Sequence, residues 1–312
     1  MKTLLKLNSL RLLMAVVAVV LLGSLTYSCS DGGSANREAA FRIVDIDTVS
    51  GRNSLDTVTA ESWLLVDATT GYPICGKDWN RRLPPASLTK MMTCILALEQ
   101  GEDKMDDTIR ITEDVYVAKN SRVRLNDTYL MKNLLMEMMM LSDNDAAFAI
   151  AKHIAGDTLK FCKMMNRKAR ELNMTCTHFA NPNGIPNNKN YSTAQDLIRL
   201  ITYCMRDPCF ARIVGTLEAD IPLADGRHLP CKNTNRLLEE YEGCIGVKTG
   251  FINASGGCLA VAARRDGVTL YLVMLKSRYG RRFSEAPIIL DFGFNVAKAV
   301  KDNLSEKEEE DS

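Results

Sequence analysis

Apolar and polar positions divide the body of the chain into three textures. Trp63-Leu64-Leu65-Val66-Asp67 is a compact apolar run that predicts a strand, Thr69-Thr70-Gly71-Tyr72-Pro73 a turn, and Ile74-Cys75-Gly76-Lys77 a second strand of a hairpin. From Met91 to Gln100 the apolar residues fit a mostly buried helix closed by Gly101, and Pro84-Pro85 can lead into a helix but not sit inside one. Residues 102–213 keep helical spacing, with an apolar face over Leu134 to Leu141, an amphipathic run over Met164 to Met174 and a capped start at Tyr191-Ser192-Thr193-Ala194 continuing to Cys204. From about Gly215 strands and turns return. Cys258 to Arg264 and Thr269 to Leu275 predict two strands joined by Arg265-Asp266-Gly267-Val268, and a last helix runs from Phe283 to about Lys301. Strands, a helical insert, then strands and a closing helix predict an α/β fold of the α+β kind: one antiparallel sheet flanked by helices, plus a mainly helical subdomain.

The two ends read differently. Lys2, Lys6 and Arg11 precede the unbroken apolar run Leu12 to Leu22, and Gly23 to Cys29 follow, so residues 1–29 predict an export signal. Ser28-Cys29 is similar to a bacterial lipoprotein site, which would lipidate Cys29. Ordinary cleavage and an uncleaved anchor are the alternatives, and all three place the body outside the cytoplasmic membrane. Residues 30–58 are polar and predict a flexible tether, residues 59–300 the folded domain, and residues 301–312, rich in Glu, a solvated acidic tail.

Composition narrows the chemistry. The 312 residues carry a formal net charge of +1, which gives nothing to hold nucleic acid. Ten cysteines form no Cys-x-x-Cys and the three histidines are scattered, so a zinc site is not indicated, and most cysteines read as small buried hydrophobes.

The chemistry that remains lies at Ser87-Leu88-Thr89-Lys90. Ser87 and Lys90 are one turn apart and share a helix face, and a lysine desolvated beside a serine hydroxyl can take its proton. On average usage about one Ser-x-x-Lys is expected by chance in a chain of this length. Two further clusters give it weight. Ser142-Asp143-Asn144 follows the methionine-rich helix abruptly and predicts a tight inter-helix loop with Asp145 as cap, and Lys248-Thr249-Gly250-Phe251 sits among the C-terminal strands.

Ser87/Lys90, Ser142/Asn144 and Lys248/Thr249/Gly250, in that order, resemble the signature of the serine penicillin-recognising enzymes. With Asn181-Pro182-Asn183-Gly184-Ile185-Pro186, Tyr191-Ser192-Thr193-Ala194 and Lys232-Asn233-Thr234-Asn235, the resemblance over about residues 60–296 is to the D-alanyl-D-alanine carboxypeptidases, the low-molecular-mass penicillin-binding proteins. It implies Ser87 as nucleophile, Lys90 as base and Ser142 as proton relay to the departing amine. Asn144 would bind the substrate amide. Lys248 would hold positive potential and keep Lys90 neutral by repulsion, and Thr249 and Arg282 would take the terminal carboxylate. The backbone N–H groups of Ser87 and Phe251 would form the oxyanion hole, and the edge strand around Gly250 would pair with the peptide. It further implies peptidoglycan stem peptides and β-lactam antibiotics as ligands and no metal or cofactor, while the N-terminal lipid or anchor read above supplies the membrane link, and a monomer is expected. Asp143 stands where many members have Gly and Ile252 where many have Thr. A D,D-endopeptidase on the same machinery is the nearest alternative. A class A β-lactamase would need a Glu where this chain has Ala169, and a non-catalytic binding module would predict a damaged motif set.

Overall fold

The computed structural model describes Glu38, Phe41 and residues 44–117, 122–253 and 256–310, without the side chains of Ile252 and 305–310. The predicted signal segment and Cys29 lie outside the described residues. One five-stranded sheet organises the rest. Its strands are β1 (Ser62–Asp67), β2 (Pro73–Lys77), β7 (Cys244–Ile252), β8 (Gly256–Arg265) and β9 (Val268–Ser277), in the order β2-β1-β9-β8-β7 and antiparallel throughout. The expected joining of the N-terminal hairpin to the C-terminal strands is thus observed, with β1 beside β9 (Trp63 opposite Met274) and β7 at an edge.

The central strands are apolar on both faces because both faces are covered. Leu64, Val66, Cys258, Ala260, Ala262, Tyr271, Val273 and Leu275 enter one core, while Trp63, Leu65, Leu259, Val261, Ala263, Leu270, Leu272 and Met274 enter another, an alternation with the period of two that a strand imposes. The first core also holds α1 (Thr89–Gln100), α2 (Met131–Met140), α3 (Asn144–Ala155), α4 (Thr158–Glu171), α5 (Ala194–Cys204) and α6 (Pro208–Gly215), together with a short pairing of β3 (Thr108–Arg110) with β4 (Thr128–Leu130). A second short ladder joins β5 (Glu218–Pro222) to β6 (His228–Lys232), followed by the single turn α7 (Leu237–Glu240). The second core is closed by α8 (Arg282–Glu310) through Ala286, Ile289, Leu290, Phe292, Val296 and Val300.

Two expectations about the ends need correction. The stretch read as tether to residue 58 packs from Phe41 onward: Phe41, Leu55 and Val58 are buried against α8, with Val44, Ile46 and Val49 beside them, and Asn295 Nδ2 donates to Ser50 O at 3.1 Å. Its polar composition conceals widely spaced apolar residues that cover the sheet. At the other end the backbone of the predicted tail stays helical to Glu310, because Lys and Glu are good helix formers and neither Gly nor Pro follows Val300. None of the nine described cysteines forms a disulfide among the described residues, and Cys94 and Cys258 are fully buried, as expected of small hydrophobes.

Candidate active site

Ser87 sits in a single 3-10 turn, Ala86–Leu88, that runs directly into α1. The residue before it, Ala86, is held at φ 50, a left-handed conformation that costs a residue with a Cβ about 1–2 kcal/mol. Gly184 abuts that turn. A Cβ on Gly184 (φ +85) would fall 1.9 Å from Ala86 O, so only glycine allows the loop after Asn181 to lie against the serine. The loop is braced by its own turn chemistry: Gly184 N donates to Asn181 Oδ1 (2.7 Å), Ile185 N to Asn183 Oδ1 (3.1 Å) and Asn181 Nδ2 to Ile185 O (3.1 Å). Thr93 Oγ1, one turn beyond Lys90 on α1, donates to Pro182 O at 2.5 Å.

Lys90 is fully buried at the centre. Its Nζ reaches Ser87 Oγ at 3.0 Å, Asn144 Oδ1 at 2.8 Å and Asn183 O at 2.7 Å. The helix spacing read from the sequence therefore brings Ser87 and Lys90 into hydrogen-bond contact, and Asn144 joins them from another element. Burial lowers the Lys90 ammonium to about 7, against a weaker opposing pull from the Asp143 carboxylate. Of the two expected causes, desolvation acts on Lys90 and repulsion from Lys248 does not contribute. The repulsion acts on Lys248 instead, whose ammonium is pushed well below its ordinary value first by complete burial, then by Lys90 and Arg282.

Residues 141–143 join α2 to α3, and Asn144 is the first residue of α3. Ser142 also adopts a left-handed backbone (φ 63), the second strained non-glycine residue at the site. The helix cap is Asp143 rather than Asp145: its Oδ1 accepts from Ala146 N (2.9 Å) and its Oδ2 from Arg122 N (2.8 Å) and Val123 N (3.4 Å). Asp145 instead accepts from Val117 N at 2.8 Å. Asp143 is therefore spent on backbone amides. A cavity of about 380 Å³ opens here, lined by Arg122, Leu141, Ser142, Asp143, Asn144, Lys232 and Thr234.

The edge strand β7 carries the third group. Lys248 Nζ donates to Thr249 O (3.0 Å), and Thr249 Oγ1 lies 2.7 Å from Thr234 Oγ1, which ties the strand to the cavity wall. A Cβ on Gly250 would stand 3.1 Å from Ser87 N, so the strand end passes close to the nucleophile turn. Phe251, 38% exposed, meets Tyr279 edge-to-face at 5.3 Å. Arg282 opens α8 and is partly buried, not a surface charge. Its Nε is buried without a hydrogen-bond partner, and its pKa is lowered by burial. Its guanidinium lies 4.7 Å over the Phe283 ring and is near enough to Lys248 to lower that ammonium by repulsion.

Two contributors escaped the sequence reading. Asn183 acts through its backbone carbonyl, and Thr234 through a hydroxyl-to-hydroxyl contact with β7. The Asn-rich turn and the Lys232-Asn233-Thr234-Asn235 stretch were visible, but neither role follows from residue type.

A serine and a buried lysine one turn apart, an asparagine facing them and a Lys-Thr-Gly edge strand are thus gathered on one side of a sheet whose fold is that of the penicillin-binding DD-peptidases. A family profile described as D-alanyl-D-alanine carboxypeptidase matches residues 49–278, and the chain belongs to that family. It is 33% identical over 242 residues to D-alanyl-D-alanine carboxypeptidase DacF of Bacillus subtilis, a match covering 76% of this chain and 62% of DacF. It is 32% identical to DacB2 of Mycobacterium tuberculosis (75% of this chain, 82% of DacB2) and 32% identical to a D-alanyl-D-alanine endopeptidase of Escherichia coli (70% and 71%). Among solved structures, a variant of the Streptomyces K15 DD-transpeptidase superposes with TM-score 0.72 at 30% identity, over 76% of this chain and 98% of that one.

Proposed function

We propose that the protein is a serine-type D-alanyl-D-alanine carboxypeptidase that trims the terminal D-alanine from peptidoglycan stem peptides through an ester on Ser87, and that β-lactams acylate the same serine. The observation that carries this reading is the hydrogen bonding of Lys90. Asn144 Oδ1 and Asn183 O only accept, so a neutral Lys90 amine gives both its N–H groups to them and turns its lone pair toward Ser87 Oγ. Burial supplies that neutral amine near pH 7.

Ser87 Oγ then bonds to the carbonyl carbon between the two D-alanines while its proton passes to Lys90. The oxyanion faces the N–H groups of Ser87 and Phe251, which the close approach of Gly250 brings together. Ser142 returns a proton to the departing amine, the C–N bond breaks and water releases the acyl group. Arg282, Lys248 and Thr249 receive the terminal carboxylate, whose charge favours the protonated form of Lys248. Asn144 and the free edge of β7 hold the peptide. Among the described residues no helix is long and apolar enough to cross a membrane. We assign anchoring to the N-terminal segment, through lipid on Cys29, outside the cytoplasmic membrane, and expect a monomer.

The endopeptidase reading is favoured by the relatives of that name in Escherichia coli and Pseudomonas aeruginosa, 32% and 30% identical. The β-lactamase reading lacks its carboxylate: Ala169 is buried in α4, and Glu171 lies 3.4 Å from Lys168. Mass spectrometry of pentapeptide muropeptides and cross-linked dimers after incubation tests the proposal. Loss of one alanine from pentapeptides is the expected result, and absence of any product from either substrate overturns it.

A further inference from the structure

Two of the exposed large hydrophobic side chains among the described residues, Phe251 and Tyr279, meet edge-to-face at 5.3 Å beside the catalytic strand, and Tyr279 is 83% exposed. Single exposed apolar residues are ordinary, but a contacting aromatic pair at the rim of a reactive site offers a ready contact surface. The sheet register places this pair next to Arg282. Phe251 stands opposite Gly257, and opposed residues of an antiparallel pair share a face. A Cβ on Gly257 would fall 3.3 Å from Arg282 Nη1 and 3.4 Å from its Cδ, so the arginine fills the notch that this glycine leaves beside Phe251. Thr249, two residues back and opposite Leu259, is on the same face.

The proposed chemistry fixes which part of the substrate passes this pair. With the terminal carboxylate at Thr249 and Arg282 and the scissile carbonyl on the Phe251 N–H, the peptide runs antiparallel to β7 along its free edge. Opposed residues that hydrogen-bond in such a pair exchange both their N–H···O bonds, so the residue offering the scissile carbonyl stands opposite Phe251 and the departing residue opposite Gly250. Gly250 faces the helical core: a Cβ there would meet Ala86 Cβ and Ser87 N, both at 3.1 Å. An L-residue opposite Gly250 would send its side chain to that crowded face. A D-residue, with its Cα inverted, sends it to the other face, toward Phe251, Tyr279 and Arg282.

We propose that Phe251 and Tyr279 form an apolar subsite for the side chain of the departing D-residue, so that the enzyme takes stems ending in a large apolar D-amino acid as well as in D-alanine. The methyl group of D-alanine covers only a small part of two ring surfaces, whereas a branched alkyl side chain covers much more. A basic side chain is disfavoured, because Arg282 lies against the same pair. The inference rests on the proposed acyl-enzyme reading and deepens it.

Three synthetic peptides, diacetyl-L-Lys-D-Ala-D-Xaa with Xaa alanine, leucine or asparagine, test it on the whole protein. Leucine and asparagine side chains branch alike and are close in size, so their ratio reads apolar contact rather than bulk. The D-leucine peptide should be cleaved at least as fast as the D-alanine peptide, and its kcat/KM should exceed that of the D-asparagine peptide by about tenfold, the scale of partly burying one leucine side chain. Tyr279→Ala should cut that ratio to about threefold, and Tyr279→Phe, which keeps the ring, should preserve it. Tyr279 is exposed, so neither variant threatens the fold. A wild-type ratio of about two or less, or a ratio that Tyr279→Ala leaves unmoved, overturns the subsite. A merely structural role for Tyr279 gives the second of these results, because it lowers all three rates together. Failure to cleave even the D-alanine peptide overturns the underlying reading instead, so the two failures are distinguishable.

Discussion

The two faces of the sheet each bury a glutamate, and the two are treated in opposite ways. On the α8 face, Glu285 accepts from Thr59 N (3.0 Å), Thr59 Oγ1 (2.6 Å) and Ser277 Oγ (2.8 Å), with Arg281 at 3.6 Å. Around it the core is apolar, and the left-handed residue of these strands, Lys276 (φ 57), lies at the end of β9, where its ammonium reaches Glu61 at 2.8 Å. On the helical face, Glu137 has no partner for its carboxyl, Lys90 and Lys248 are buried with lowered ammonium pKa values, and Ala86 and Ser142 adopt left-handed backbones. Unsatisfied and strained groups cost stability and are retained where they serve chemistry. One face is the scaffold and the other the instrument mounted on it.

Substitutions can break that division. Ser87→Ala should remove covalent penicillin labelling and D-alanine release by at least about 10⁴-fold while leaving thermal stability within a degree or two, since only one oxygen is lost. Labelling at the wild-type rate would sink the assignment. Phe292→Ala, on the scaffold face, should do the reverse: about 3–5 kcal/mol of stability lost in urea unfolding, with kcat/KM of the folded fraction kept. A loss of activity in proportion would show that the faces are not independent.

Glu137→Gln sharpens the contrast through pH. The carboxyl is raised from 4.5 to about 9, so the folded protein holds a proton that the unfolded chain releases, and stability falls as pH rises from about 4.5 to 9. Glutamine removes that dependence and should stabilise the protein by up to about 3 kcal/mol at pH 7. An unchanged slope of Tm against pH would contradict a protonated Glu137. For Lys90 the lowered pKa means that the neutral base accumulates as pH rises. Acylation by a β-lactam should climb with a midpoint near pH 7, losing about tenfold per unit well below it, and a flat profile between pH 6 and 8 would refute Lys90 as base. The smallest effect is expected for Thr234→Val, a few-fold drop in kcat/KM from loss of the hydroxyl beside Thr249, read mainly in KM.

What could be read from the chain alone was local. The hairpin of β1 and β2, the pairing of Ser87 with Lys90 one turn on, and the Thr193 cap, which accepts from Asp196 N at 3.0 Å, follow from spacing within a few residues. What could not be read involves partners far apart or groups that every residue has. A backbone carbonyl such as that of Asn183 has no sequence signature. Two acids near one helix start, Asp143 and Asp145, cannot be ranked as caps until the partners at Arg122 and Val117 are known. The covering segment from Phe41 to Val58 was hidden for the same reason, because its apolar residues make sense only against α8.

The glycine contact at Ala86 joins segments that are far apart in the chain. Ser87 precedes Gly184 in the chain and Gly184 precedes Gly250, yet both glycine backbones lie against the Ala86–Ser87 turn. The sheet beneath them also closes late, because Trp63 waits for Met274. On the proposed reading the Ser87 hydroxyl stays a chemically ordinary one until β7 has docked against its turn, so reactivity toward β-lactams would come with completion of the fold.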